Sequence, residues 1–261
     1  MLKIDMSKAH DRISWRFILK VFTALGFSNQ WMDLIYRNIS NCWYSIIWKG
    51  STYGYFKSNR GVRQGDPLFP SLFIIAMEYL SKLINAGMER RQLLPYKVEG
   101  CKSHVHHLIY ADDLLLFSNG HINYVKNLIK ALQHFCDLSG QQLNPAKSKI
   151  FFSKHIFLSR KQNILKETQF KEDQFPTRYL GAPLFPGRPI IAYFKHLEDN
   201  IRNKITGWAK KFLSMAGRAT LILSVLNSLS IHTLSVIPTL KTVLHSMERL
   251  FANFFWDGKH H

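Results

Sequence analysis

The chain has 261 residues, of which 46% are hydrophobic and 13% are aromatic. This composition excludes a disordered or low-complexity protein, and the length is enough for one large domain or for a large and a small one. Lys and Arg number 35 against 17 Asp and Glu, which gives a formal net charge of +18. A positive excess of this size favours a polyanionic partner, either a nucleic acid or an anionic membrane surface.

The hydropathy pattern and the cysteines indicate the cellular compartment of the protein. No apolar run approaches the roughly 18–20 residues of a membrane span, and residues 219–231 are interrupted by Ser and Asn. The first residues are charged and lack the apolar stretch of a secretion signal. Three widely spaced cysteines argue against a disulfide framework. We therefore expect a nuclear or cytoplasmic protein with no secretion signal, no membrane partner and no disulfide-linked partner.

The first ninety residues combine helix and strand patterns. Apolar periodicity, capping residues and turn residues indicate the elements. In chain order they are a strand at 2–5, a helix at 7–25 that Gly26 ends, a helix from Ser28 or Asn29 to Ile39, strands at 44–48 and 53–56 around a Lys49-Gly50 turn, and a long helix from Pro70 to Met88.

The second half contains the most strand-like segment, residues 105–118. Its two apolar arms flank Asp112 and Asp113, which predicts a hairpin with both aspartates at the tight turn. A helix at 124–138 and a strand at 150–153 follow. Prolines crowd residues 176–189, so we predict one domain at 1–185 and a second, helical and basic, at 190–261.

Three aspartates form a candidate catalytic centre. Asp5 ends the first strand, while Asp112 and Asp113 lie at the hairpin tip. If the two strands are neighbours in one sheet, the carboxylates converge, and Mg²⁺ is the usual remedy for such a cluster. Two ions would activate a 3′-hydroxyl and stabilise leaving pyrophosphate, as in polymerases. The alternative is that the Asp-Asp pair is simply a polar turn.

Two further segments suggest contact with nucleic acid. Residues 60–68 (Arg-Gly-Val-Arg-Gln-Gly-Asp-Pro-Leu) suit a loop that lets backbone approach a phosphate or a base, or else an ordinary loop-to-helix connector. No acid occurs between Asp199 and Glu248. The basic residues between positions 202 and 218 of this second segment favour phosphate contact over a solvated helix face, and they are Arg202, Lys204, Lys210, Lys211 and Arg218.

Four segments in order resemble motifs of one family. They are Leu-Lys-Ile-Asp-Met-Ser-Lys-Ala-His-Asp-Arg-Ile at residues 2–13, residues 60–68, Tyr-Ala-Asp-Asp-Leu-Leu-Leu-Phe at 110–117 and Ser-Gly-Gln-Gln-Leu-Asn-Pro-Ala-Lys-Ser-Lys at 139–149. Together they resemble the reverse transcriptase of non-LTR (LINE-type) retrotransposons, and residues 179–188 resemble the plant elements of that family.

The resemblance implies an α+β fold. In it a right-hand polymerase palm, an antiparallel sheet with packed helices, precedes a helical thumb. Most of the fingers would be missing, as in a chain truncated at both ends. The implied function is RNA-directed DNA polymerase, with an RNA template, a DNA primer strand and deoxynucleoside triphosphates as partners. A catalytically inactive retrotransposon remnant that at most binds RNA is the alternative.

The resemblance also implies roles for individual residues. Asp5 and Asp112 would bind two Mg²⁺ ions with the Met6 carbonyl as an extra ligand, and Asp113 would be the less essential neighbour. The residues implied to bind nucleotide or template are His10, Arg63, Gln64, Gly65 and Lys147. Two positions depart from the pattern. His10 replaces the bulky aromatic that blocks a ribose 2′-hydroxyl, and Phe69 replaces a Ser.

Overall fold

The computed structural model describes residues 1–63, 65–96, 105–209 and 213–256. The chain divides into two compact units, Met1–Asp173 (unit 1) and Gln174–His261 (unit 2). The predicted boundary at 185–190 therefore lies inside unit 2. The reason is that the proline-rich segment folds as part of unit 2, where Ala182 is buried in the same hydrophobic cluster as Phe194.

Unit 1 is built on a five-stranded sheet with the strand order β4-β5-β1-β6-β7. All neighbouring strands are antiparallel except the β6–β7 pair. A separate two-stranded ribbon is formed by β2 and β3. The strands are β1 (Leu2–Asp5), β2 (Trp43–Trp48), β3 (Ser51–Lys57), β4 (His107–Tyr110), β5 (Asp113–Leu116), β6 (Lys149–Ile150) and β7 (Lys171–Glu172).

Helices pack against this sheet and contribute buried side chains to the core of unit 1. They are α1 (Ala9–Arg12), α2 (Trp15–Ala24), α3 (Asn29–Ser40), α4 (Phe69–Glu89), α5 (Ile122–Ser139) and α6 (Leu158–Thr168). Ile4 of β1 and Leu114 of β5 are fully buried with Leu80 of α4 and Leu132 of α5. The expected mixture of helix and sheet is confirmed, and the core holds β1 and β5 side by side.

The predicted helix at 7–25 is wrong as a continuous element. It divides at Ile13 and Ser14, whose backbone groups are held by distant segments: the Gly61 N–H donates to the Ile13 carbonyl at 2.8 Å, and the Ser14 N–H donates to the Ser139 carbonyl at 2.8 Å. The Ser14 hydroxyl then caps α2. Apolar periodicity carries no information on such long-range bonds, so it could not show the break.

Unit 2 is mostly helical in the residues that the structure describes. Its elements are β8 (Thr177–Tyr179), β9 (Ala182–Leu184), a 3₁₀ turn at Ile191–Phe194, α7 (Lys195–Ala209), α8 (Met215–Leu221), a π-helical stretch at Ile222–Leu226, α9 (Asn227–Val236) and α10 (Lys241–Trp256). Ile201 of α7, Leu226 and Phe254 of α10 are buried in one cluster. This cluster is separate from the core of unit 1.

One helix among the described residues, Met215–Val236, has the length and composition to cross a membrane, and 17% of its most apolar window is buried. The expectation against a membrane span rests on Ser and Asn interrupting the apolar run, but the helix continues through them. The hydroxyls of Ser224 and Ser228 donate to carbonyls of the same helix. Core helices of soluble proteins meet the same criteria, so the absence of a membrane partner stays a prediction.

Gly61 closes the contact between the 60–68 loop and α1. Its φ is +78°, and a Cβ at this position would lie 2.7 Å from the Asp11 carbonyl oxygen. Gly54 in the ribbon also has a positive φ, +69°, but a Cβ there would meet nothing within 4 Å. The two glycines therefore share a strained backbone conformation and differ in available space.

We predict that Gly61→Ala lowers the free energy of unfolding by about 1–3 kcal/mol more than Gly54→Ala does, because overpacking adds to the left-handed strain that both variants carry. Urea unfolding followed by circular dichroism measures the difference. Equal losses in the two variants would contradict a packing role for Gly61.

Candidate active site

The β1–β5 register places two of the three predicted aspartates opposite each other. Asp5 pairs with Asp113 across the antiparallel strands. Asp112 lies with Ala111 in the two-residue turn that joins β4 to β5, and it is exposed. The prediction that both aspartates lie at the tip therefore holds for Asp112 alone, since Asp113 is the first residue of β5. The three acids nevertheless meet at one end of the sheet.

Electrostatics confirm that these carboxylates influence one another. Partial burial raises the pKa of Asp113, Lys3 opposes this effect, and the negative charges of Asp112 and Asp5 raise the pKa further. Like charges on facing strands destabilise a sheet. A bound divalent cation would turn this repulsion into ligation.

Lys3 is a site residue that the sequence reasoning missed. It precedes Asp5 by two positions on β1 and pairs with Leu115. Because side chains two residues apart on a strand share a face, Lys3 and Asp5 lie on the same side of the sheet. That alternation was available as a signal in the Lys-Ile-Asp sequence. Lys3 supplies positive charge to Asp113.

The oxygen atoms of these aspartates, at one end of the sheet, suit a hard cation. Among the described residues no group of three His, Cys, Asp or Glu side chains forms a ready-made metal site. Mg²⁺, however, takes only one or two carboxylates and completes its shell with water and phosphate oxygens. Met6 bridges Leu143, and the flanking bonds are made by Ser7 N–H and by the Asp5 carbonyl. The Met6 carbonyl therefore points away from Leu143, toward the side of β1 on which β5 lies.

The loop that carries Lys147 is tied directly to Asp5. The Asn144 N–H donates to the Asp5 carbonyl at 2.9 Å, and the Asp5 N–H donates to the Ser148 hydroxyl at 3.2 Å. Lys147 lies between these two anchors and is exposed. Two hydrogen bonds thus hold the lysine-bearing loop beside the catalytic candidate.

His10 and Gly65 line one cavity of about 720 Å³ together with Tyr110 and Ala111, the residues that lead into the Asp112 turn. The His10 ring stacks on Phe73 of α4, with centroids 6.2 Å apart. Gly65 has a φ of +90° and open space where a Cβ would lie. Its bare backbone is therefore accessible to a ligand in the cavity.

Arg63 lies elsewhere. Its Nε donates to the Cys42 sulfur at 2.9 Å, a bond that raises the pKa of Arg63. Arg63 lines a small space between α3 and α4 together with Cys42 and Leu72. It is not among the residues that line the larger cavity. Gln64 lies outside the described residues. The nucleotide-binding role of both residues stays a prediction.

Two of the predicted phosphate-binding residues in unit 2 also have structural partners. Arg202 donates to Glu198 at 2.8 Å, and this hydrogen bond is the main cause of the lowered pKa of Glu198. Arg218 donates to the Phe255 carbonyl at 3.1 Å, which ties α8 to α10. Lys204 is exposed on α7. Lys210 and Lys211 lie outside the described residues.

Two adjacent histidines lie at the far end of β4. The Nδ1 atoms of His106 and His107 are 2.6 Å apart, and His107 Nε2 lies 3.0 Å from the Ser81 hydroxyl. Burial and the neighbouring His106 lower the pKa of His107 to about 4. This edge of the sheet is therefore folded around a neutral imidazole.

Comparison with known proteins identifies the family. The family model described as reverse transcriptase (RNA-dependent DNA polymerase) matches residues 1–184. The chain therefore belongs to the reverse transcriptase family, and its relatives include non-LTR retrotransposon polyproteins.

Two relatives show how much of such a polyprotein the chain spans. A Pol polyprotein from the R2 retrotransposable element of Popillia japonica is 31% identical over 56% of this chain. The 149 kDa protein of transposon TX1 of Xenopus laevis is 24% identical over 99% of it. The chain spans 23% and 19% of these relatives. Among solved structures, Candida albicans telomerase aligns with 99% of this chain and 44% of its own, at 12% identity and a TM-score of 0.48.

We predict that unit 1 loses stability as the pH falls from 6.5 toward 4. The lowered pKa of His107 means that the unfolded chain binds a proton which the folded chain excludes, so this contribution is complete above pH 6.5 and declines below it. Thermal unfolding at several pH values measures the slope. His107→Gln is expected to flatten it, and the exposed His134→Gln is the control. An unchanged slope in His107→Gln would contradict the assignment.

Proposed function

We propose that the chain is the palm and thumb of an RNA-directed DNA polymerase from a plant-type non-LTR retrotransposon. Unit 1 corresponds to the palm and the remaining fingers segment, and unit 2 to the helical basic thumb and connection. The observation that carries this proposal is the pairing of Asp5 with Asp113 beside the Asp112 turn. The family of the chain and its charge excess of +18 support it.

The reaction proposed is two-metal nucleotidyl transfer. Asp5 and Asp112, with the Met6 carbonyl, would hold two Mg²⁺ ions, and Asp113 would add negative charge next to them. When bound, the ions supply activation of the primer 3′-hydroxyl and stabilisation of the charge that develops on the phosphate. Burial is the main cause of the raised pKa of Asp113, and the charges of Asp112 and Asp5 add to it. The repulsion among these carboxylates supports the assignment, because cation binding would relieve it.

Other residues of this chain would position the substrates. The cavity shared by His10 and Gly65 would take the incoming deoxynucleoside triphosphate, with Gly65 letting its phosphates or base approach the backbone. Lys147, on the loop tied to Asp5, would neutralise the triphosphate and donate a proton to the leaving pyrophosphate. Arg63 and Gln64 would contact nucleotide or template.

The template and primer would lie along the basic thumb. Lys204, Arg202 and Arg218, with Lys210 and Lys211, would contact the phosphate backbone of an RNA template paired with a DNA primer strand. Because Arg202 is paired with Glu198, we expect Arg202 to contribute less to phosphate binding than Lys204 does. A nuclear or cytoplasmic location fits the substrates and remains part of the proposal.

Primer extension on an RNA template with Mg²⁺ tests the catalytic assignment. Asp112→Asn is expected to lower incorporation at least about 100-fold, because several kcal/mol of transition-state stabilisation depend on the ions. Asp11→Asn, an exposed carboxylate of α1, is the control and should retain activity.

Two outcomes would overturn the assignment. Incorporation that is unaffected by Asp112→Asn would exclude the two-metal role. No incorporation by the unsubstituted chain, together with salt-sensitive RNA binding, would favour the alternative of an inactive RNA-binding remnant.

His10 provides a second test of the nucleotide cavity. We predict that His10→Tyr lowers the use of ribonucleotides relative to deoxyribonucleotides, because a larger ring beside Phe73 would crowd a 2′-hydroxyl. The ratio of kcat/KM for the two nucleotide types measures the effect. An unchanged ratio would remove His10 from this role, and His121→Tyr, at the start of α5, controls for substitution of a histidine elsewhere.

A further inference from the structure

The β2–β3 ribbon is an unusually exposed apolar element. Every residue of both strands is exposed. Trp48 is 64% exposed, Tyr55 75% and Ile47 76%. Soluble proteins rarely expose a contiguous apolar surface of this kind. Where they do, the surface usually marks an interaction site. The ribbon therefore needs a ligand or partner that covers planar apolar groups.

The register divides the rings between the two faces of the ribbon. The bulge after Tyr44 places its extra residue on β3, so β2 alternates regularly and Trp43 lies on the face opposite to Trp48. Trp43 pairs with Lys57, and Tyr55 lies on the same face as this pair. The Trp43 and Tyr55 rings stack at 5.0 Å with an interplanar angle of 10°. Lys57 Nζ lies 5.7 Å from the Trp43 ring centroid. This surface, called here the aromatic face, is a stacked pair of flat rings with a cation beside it.

The charged residues in and around the ribbon indicate which kind of molecule it binds. Between Asp33 and Asp66 the sequence has no acidic residue, and its basic residues in that interval are Arg37, Lys49, Lys57, Arg60 and Arg63. An acidic protein surface would satisfy these charges but would leave the rings without planar groups to stack on. Unpaired bases on a phosphate backbone satisfy both the rings and the cations.

A groove near the end of β3 also combines basic and aromatic side chains. It has a volume of about 630 Å³ and is lined by Arg16 and Lys20 of α2, by Trp15 and Tyr36, and by Asn59, which follows β3 by two residues. Asp33 also lines it but is paired with Arg37 at 2.8 Å. The groove thus offers two cations to phosphates where the aromatic face ends.

We propose that the aromatic face and this groove form a binding site for a single-stranded nucleic acid, outside the carboxylate centre. Bases stack on Trp43 and Tyr55, and phosphates contact Arg16 and Lys20. Base pairs in a duplex are already stacked on each other, so the site selects an unpaired strand. The site needs neither Mg²⁺ nor a nucleoside triphosphate, and it therefore does not depend on the proposed polymerase activity.

Fluorescence anisotropy with labelled U₁₂ and dT₁₂, in EDTA and without nucleotides, tests the site. Trp43→Ala and Tyr55→Ala are each expected to raise Kd at least about fivefold, the lower end of the effect of losing one base–aromatic stack. Phe157→Ala is the matched control, because Phe157 is 73% exposed in the same unit and precedes α6, outside the ribbon sequence. Asp112→Asn is expected to bind as the unsubstituted chain does, which separates this site from the catalytic proposal.

Salt dependence tests the groove. Arg16→Ala and Lys20→Ala are each expected to lower the slope of log K against log salt by about 0.7, the value for one phosphate contact to a single strand. Crosslinks from 4-thiouridine in the oligonucleotide are expected within residues 43–57. Comparison of U₁₂ with dT₁₂ shows whether the strand is RNA or DNA.

Three results would overturn the proposal. One is unchanged binding by both Trp43→Ala and Tyr55→Ala. Another is equal affinity for a blunt duplex of the same length. The third is a dimer of the unsubstituted chain that Trp43→Ala converts to monomer in sedimentation, which would assign the face to a second copy of the chain. Circular dichroism of each variant shows whether its fold is retained.

Discussion

The structure of unit 1 depends on holding two like charges opposite each other on adjacent strands. Asp5 and Asp113 are register partners, and such a pair is unfavourable in a sheet unless other interactions compensate. Compensation comes from the opposite face of the same strands, where Ile4, Leu114 and Leu116 are fully buried. Burying each of these side chains contributes about 1.5–3 kcal/mol, so the core can hold a repulsive pair at the end of these two strands.

Other segments are attached to the strand that carries this pair. The 144–148 loop bonds to both backbone groups of Asp5, and Lys3 brings positive charge to Asp113. The 60–68 loop is held through Gly61 against α1, which brings Gly65 to the cavity that contains His10. Four segments far apart in sequence therefore converge at one end of the sheet, and the proposed nucleotidyl transfer would use all four.

Much of this architecture could be predicted from local sequence signals. The Lys49-Gly50 turn, the Ser28 cap and the start of the long helix near Pro70 are specified by a few neighbouring residues, and the structure confirms them. The break at Ile13 and Ser14 was missed because its causes, Gly61 and Ser139, lie far away in the sequence. The Arg63–Cys42 bond is equally non-local. The aspartates were predictable as a group from their motifs, but their register required the β1–β5 pairing.

Electron paramagnetic resonance of Mn²⁺, a spectroscopic substitute for Mg²⁺, tests most directly whether this carboxylate pairing is a metal site. Titration of the chain with Mn²⁺ reports bound ions without requiring catalysis. We expect the unsubstituted chain to bind Mn²⁺, the Asp5→Asn/Asp112→Asn double variant to lose this binding, and Asp11→Asn to retain it. Equal Mn²⁺ binding by the double variant, or no binding by the unsubstituted chain, would contradict this expectation.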